Sequence, residues 1–228
     1  MPSPRLRFRA RPVGFTLIEL IVVIGIIALL IGILLPVLSS AKQAAIKVHC
    51  SSQIRQINLA LETYANDFRG RYPVAGYNID WGQIDTGFPN STQMPSWMEQ
   101  LFTYLPSQEV LSGCHSYPRD TPYHYFLSTR AVWIATGNFG SIRQQQIRNT
   151  SAFVLVGDNH WDFYEDVAPD ADKDDYTQQT LSLTAGPNHW EPQHVKGLNV
   201  GFADGHVASF LEIDPTRMTW RYDSMSLW

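Results

Sequence analysis

The chain has 228 residues, 44% hydrophobic and 17% charged, enough for an anchor and one globular domain that buries a core, while two further domains would be crowded. The formal charge is −4; setting aside Arg5, Arg7, Arg9 and Arg11 of the first fourteen residues leaves 13 basic against 21 acidic side chains, or −8. So acidic a body excludes nucleic acid as its main ligand.

Residues 1–14 carry those four arginines and no acid. The positive-inside bias holds such a leader in the cytoplasm and sends the C-terminal domain across the membrane. It is an address and is expected to be removed. Between Arg11 and Lys42 lie thirty residues with a single charge, Glu19, a run long enough and apolar enough to cross a hydrocarbon core. A secretory signal is cut after its apolar stretch. Here the glycine that could mark a cut, Gly14, stands before it, so cleavage there leaves the helix attached.

Glu19 needs a partner, because a carboxylate at the bilayer centre costs about 2.5 to 3.5 kcal/mol and less near the interface. A cut after Gly14 frees a cationic amine at Phe15, which Glu19 of a neighbouring copy can meet. At 4 Å and an effective dielectric near 20 such a pair gains about 4 kcal/mol before desolvation is subtracted, enough to select register between subunits.

The run Gly14-Phe15-Thr16-Leu17-Ile18-Glu19-Leu20 followed by an apolar helix resembles the class III signal of type IV pilins and type II secretion pseudopilins. The resemblance implies cleavage between Gly14 and Phe15 by a prepilin peptidase, N-methylation of Phe15, and Glu19 as the assembly carboxylate. Pro36 is residue 22 counted from Phe15, where that family carries a helix-kinking proline. It further implies a single-pass inner-membrane protein with a cytoplasmic N-terminus and a periplasmic or extracellular C-terminal domain, which then enters a filament. Its partners would be other pilin subunits, the peptidase and methyltransferase, the assembly platform and membrane lipid. A plain signal anchor with a chance Glu19 is the alternative. The glycine, the glutamate and the proline spacing agree against it independently.

Beyond the segment 15–38, residues 39–69 continue as an amphipathic helix. Ile46, Cys50, Ile54, Ile57, Leu61, Tyr64 and Phe68 form its apolar face, and Lys42, Gln43, Lys47, Gln53, Arg55 and Glu62 its polar one. From Phe15 to Phe68 the helix would measure about 81 Å. Gly70 and Pro73 are expected to stop it. The piece from Cys50 to Ile57, then Tyr64-Ala65-Asn66-Asp67 and Gly70-Arg71-Tyr72-Pro73, is similar to the helix end of a pseudopilin-like subfamily. Cys50 and Cys114 would both lie beyond the membrane, where a disulfide can persist; either they pair or each is a separately buried thiol.

Residues 70–228 make up the head. Between 74 and 122 the chain is rich in Pro, Gly, Asn, Ser and aromatics, with one short helix expected from Trp97 to Tyr104 behind a capping-box spacing of Ser96 and Glu99. Its Trp97, Leu101, Phe102 and Leu105 would bury one face. Trp81 and Trp97 either cover a thin core or offer a carbohydrate- or protein-binding surface. Strands are expected over Tyr123–Thr136, Ala152–Val156 ending in Gly157-Asp158, Leu198–Phe202 and His206–Leu211, the last two joined as a hairpin at Asp204-Gly205. The fold class is α+β: a small antiparallel sheet laid on the amphipathic half of the helix, closing one core. By resemblance it is pilin-like.

His194, nine intervening residues, then Asp204-Gly205 reproduces the H-x9-DG pattern of that same subfamily. His194, Asp204, His206 and Asp158 offer imidazole and carboxylate ligands suited to zinc or another transition metal. The plainer reading is a hydrogen bond from histidine to aspartate or backbone that fixes the turn. Asp170, Asp172 and Asp174 alternate as calcium loops do, but Asp175 stands where glycine is needed and Leu181 where the closing glutamate belongs, so a solvated acidic loop competes with calcium. No nucleophile elbow, phosphate loop, dinucleotide fingerprint or HExxH occurs, which points away from an enzyme. The leading expectation is a prepilin-like structural subunit of a type IV pilus or type II secretion pseudopilus. Its rival is a membrane-tethered metal-binding protein or metal-dependent enzyme on a pilin-type anchor.

Overall fold

The computed structural model describes residues 16–73, 97–107, 109–116, 124–128, 141–158, 194 and 197–225. Two compact units emerge, Met1–Lys42 and Gln43–Trp228. Among the described residues the order of elements is helix α1 (Leu17–Asp67), helix α2 (Trp97–Leu101), helix α3 (Glu109–Ser112), strand β1 (Tyr125–Leu127), a 3-10 turn (Gln144–Gln146), then strands β2 (Val154–Asp158), β3 (Leu198–Phe202) and β4 (Val207–Phe210). The architecture is α+β, as composition and pattern suggest.

Helix α1 opens on Thr16. Its hydroxyl accepts from the Glu19 amide at 3.4 Å, while the Glu19 carboxylate accepts from the Thr16 amide at 2.8 Å, a reciprocal capping box. The far end closes at Asp67: Arg69 takes a left-handed φ of 59°, and the Gly70 amide reaches back to the Ala65 carbonyl at 2.7 Å. That is the long bond of a Schellman motif, so the left-handed residue is Arg69 and Gly70 follows it. Antiparallel pairing of Arg71 with Arg143 then leads the chain away, secured by Tyr72 donating to Glu62 at 2.6 Å.

In the second unit the buried face of α1 comprises Cys50, Gln53, Ile54, Ile57, Asn58, Ala60, Leu61, Tyr64 and Ala65, with Ile46 partly buried against it. Two departures from the expected face have physical reasons. Gln53, placed on the polar side, is buried because it bridges two elements, accepting from the Tyr125 hydroxyl at 2.8 Å and donating to the Glu109 carbonyl at 3.3 Å. Phe68 lies past the helix end and remains half exposed, stacked on Tyr64 with ring centroids 4.2 Å apart. Helix α2 is shorter than expected. Residues 102 and 104 follow with i to i+3 bonds, and Trp97, Met98 and Leu101 are buried. Trp97 is therefore a core residue, while Ser96 and Trp81 lie outside the described residues.

The sheet runs β1-β2-β3-β4, antiparallel throughout. The two last strands match expectation in place and pairing. The first keeps only Tyr125–Leu127 among the described residues, and residues 129–136 lie outside them. Val154 faces Phe202 and Val156 faces Gly201, so Leu155 is an extra residue in a bulge. The bulge turns both Leu155 and Val156 toward α1, alongside Tyr125 and Leu127.

A single core on the helix side was expected, and the sheet has two. Phe126, Val154, Leu198, Val200, Phe202 and Phe210 point to the opposite face, where Met218 and Trp220 of the segment after β4 cover them. Every residue of β2 and β3 is consequently buried, the signature of strands covered on both sides. Helix α1 approaches the sheet closely at Gly201. A Cβ there would stand 2.5 Å from Asn58 Nδ2 and 2.9 Å from Ile54 Cγ2, and Asn58 donates to the Phe202 carbonyl at 3.3 Å. Gly201→Ala is expected to lower unfolding free energy by about 1 to 3 kcal/mol through overpacking, measurable by denaturant titration of the full chain in detergent.

Candidate functional site

In the first unit the described part of α1 is an uncovered apolar rod. The large apolar residues from Leu17 to Leu38 are 45–76% exposed, and nothing charged follows Glu19 until Lys42. It is long and apolar enough to cross a membrane and fits a membrane anchor. Glu19 stands at its mouth, where the helix dipole favours a negative charge. The Thr16 hydroxyl donates to the same carboxylate oxygen at 2.7 Å. Within one chain, then, Glu19 is a capping residue. Thr16 three places before Glu19 was a legible signal for this, the same spacing noted at Ser96 and Glu99. Pro36 is accommodated inside the helix, where it cannot donate the bond otherwise made to the Gly32 carbonyl. Gly14 and Phe15, the expected cleavage pair, lie outside the described residues.

In the second unit the H-x9-DG pattern resolves into two separate arrangements, one at each end of the β3–β4 hairpin. At the turn, Gly205 takes φ 88° and its amide donates to the Phe202 carbonyl at 2.9 Å, the three-residue hairpin with glycine in the left-handed position. Asp204 accepts from the His206 amide at 3.1 Å and lies 2.5 Å from His206 Nδ1, while the His206 ring stacks on Phe202. Both side chains are substantially exposed.

At the open end, His194 is buried, with its Nε2 3.1 Å from Asp158 Oδ2 and its Nδ1 2.9 Å from Ser116 Oγ. The Asn199 amide donates to Asp158 Oδ2 at 2.7 Å, and Asp158 Oδ1, also buried, has no hydrogen-bond partner among the described residues. Gly197 makes the tight return. Its amide donates to the His194 carbonyl at 3.0 Å, and a Cβ there would fall 2.0 Å from the Phe210 carbonyl oxygen.

The four-ligand set Asp158, His194, Asp204 and His206 is therefore not brought together. Leu198 pairs with Phe210 beside His194, whereas Gly201 pairs with Val207 beside the turn, so the strand itself, roughly 3.4 Å per residue, holds the two pairs apart. The hydrogen-bonding reading describes each pair. Asp170, Asp172 and Asp174 lie outside the described residues.

Cys50 and Cys114 form a disulfide, with Cα atoms 5.1 Å apart, joining α1 to the segment after α3. Cross-linking residues 64 apart restricts the unfolded chain by about 4 kcal/mol in the loop-entropy account. Cys114 Sγ lies 3.9 Å from His194 Nε2, and the Cys114 amide donates to buried His124 Nδ1 at 3.0 Å. Ser116 and the nearness of His194 to the disulfide were invisible in the sequence, since neither spacing nor periodicity encodes a contact across 78 or 80 residues.

Compared with protein-family models, with curated proteins and with solved structures, the chain gives no match. His194→Ala leaves Asp158 buried with the Asn199 amide but without its imidazole partner and is expected to cost about 3 to 5 kcal/mol. Asp204→Ala at the exposed turn is expected to cost about 1 kcal/mol or less. Parallel denaturant curves of the two variants check the ordering.

Proposed function

We propose that this chain is a prepilin-like structural subunit of a type IV pilus or type II secretion pseudopilus, not an enzyme. Prepilin peptidase cleaves it between Gly14 and Phe15, Phe15 is N-methylated, and the subunit passes from the inner membrane into a filament beside other copies. The observation that carries the reading is the uncovered apolar half of α1, Leu17 to Leu38, with one carboxylate at its mouth. A surface of that kind is stable in lipid or against copies of itself, and a filament core offers the second environment in place of the first. The covered second half of α1 supports the same reading, because it fastens a folded head to the rod.

Assembly then amounts to an exchange at Glu19. Before it, the carboxylate caps its own helix through Thr16. Cleavage supplies the counter-charge, the freed amine of a neighbouring Phe15, so the exchange is open only to a cleaved chain. An uncleaved chain lacks the amine and stays in the membrane. The Glu19→Ala variant is expected to be cleaved normally yet be absent from sheared filaments, with at least a tenfold drop by immunoblot of the filament fraction. Wild-type incorporation of this variant contradicts the assigned role.

A further inference from the structure

We propose that the chain, when its disulfide is reduced, binds one zinc ion through Cys50 Sγ, Cys114 Sγ, His194 Nε2 and the Asp158 carboxylate. The inference is independent of the filament reading. The two sulfurs and a ring nitrogen of His194 all lie within 4.8 Å of one another, and all three residues are buried. Tetrahedral zinc, with Zn–S about 2.3 Å and Zn–N about 2.0 Å, sets sulfur and nitrogen about 3.6 Å apart and the two sulfurs about 3.8 Å apart. Cys114 Sγ and His194 Nε2 are already at 3.9 Å. Opening the S–S bond lets the two sulfurs separate, and the Asp158 carboxylate, 3.1 Å from Nε2 but outside that three-residue group, turns in as the fourth ligand.

Two further observations point to a cation. Asp158 is fully buried beside Nε2 and its Oδ1 has no hydrogen-bond partner among the described residues, which offers a carboxylate oxygen for a fourth ligand. On the other side of the ring, Ser116 Oγ sits 2.9 Å from Nδ1 and can accept its proton, which leaves the Nε2 lone pair free to ligate. The scaffold does not depend on the disulfide alone. His124 holds the Cys114 amide, and Gln53 ties α1 to the Glu109 carbonyl.

A dithiol passes two electrons and two protons to the disulfide, giving two thiols on this chain and a disulfide on the donor. Zinc then displaces the two thiol protons to solvent, and two thiolates, one neutral imidazole and one carboxylate hold the ion. Either cross-link, covalent or metallic, ties α1 to the segment after α3.

The test uses the full chain in detergent, reduced with a phosphine and titrated with cobalt(II), then zinc. One equivalent of cobalt is expected to bring up the thiolate-to-cobalt charge-transfer band and the intense visible bands of a tetrahedral site, and one equivalent of zinc to erase them. The oxidised chain is expected to show neither. His194→Ala should lose the tetrahedral bands, and Ser116→Ala, which removes no ligand, should weaken binding about 10- to 100-fold. Absence of the charge-transfer band in the reduced chain, bands that survive in His194→Ala, or equal binding by the oxidised chain would overturn the proposal. A reduced head that unfolds and is not restored by zinc overturns it equally.

Discussion

One helix is asked to satisfy two solvents, and the rest of the molecule follows from that division. From Leu17 to Leu38 every described residue of α1 is exposed and all but Glu19 and Pro36 are Leu, Ile, Val, Ala or Gly. From Cys50 to Ala65 the same helix buries a face against a sheet. Water cannot stabilise the first part at any reasonable cost, since burying a single Leu or Ile side chain is worth about 1.5 to 3 kcal/mol and the segment holds more than a dozen. Such a segment fits a membrane anchor. The only charged group there, Glu19, is held by Thr16 at the helix start, the one position where backbone amides and the dipole both reward an anion.

The head solves a different problem, that of seating a long helix on a sheet of short strands. Gly201 permits the contact, Asn58 and Gln53 tie it with buried hydrogen bonds, and the Cys50–Cys114 bridge cross-links it. Met218 and Trp220 then close the opposite face, so β2 and β3 are buried on both sides. His194 and Asp204 take part at the two ends of one hairpin. The first is buried against Asp158, and the second shapes an exposed turn. A spacing of nine residues between them is what a strand plus its turn requires, with no need for the two side chains to meet.

Much of this is legible in the residues because it is local. Alternating and apolar runs mark Leu198–Phe202 and Val207–Phe210, the dipeptide Asp204-Gly205 marks their turn, and the three-four spacing from Ile46 to Tyr64 marks the buried side of α1. What escapes is whatever depends on a partner far along the chain. Gln53 and Asn58 look polar and solvated until Tyr125, Glu109 and Phe202 arrive. Leu155 looks like any strand residue, since a bulge is a property of two strands and not of one. The cysteines give no distance, and a shared metal site built from Asp158, His194, Asp204 and His206 ignores that a hairpin carries its turn and its open end in opposite directions. Thr16 is the exception, a local signal overshadowed by the apolar run that follows it.

The weight of the functional reading rests on the junction between the basic leader and the apolar rod. Intact-mass and fragment-ion mass spectrometry of the protein recovered from membranes addresses that junction directly. A mature chain that begins at Phe15 and carries one extra methyl group on its amine is the expected result. A chain that still begins at Met1, or one trimmed beyond Leu38 and released from the bilayer, contradicts it.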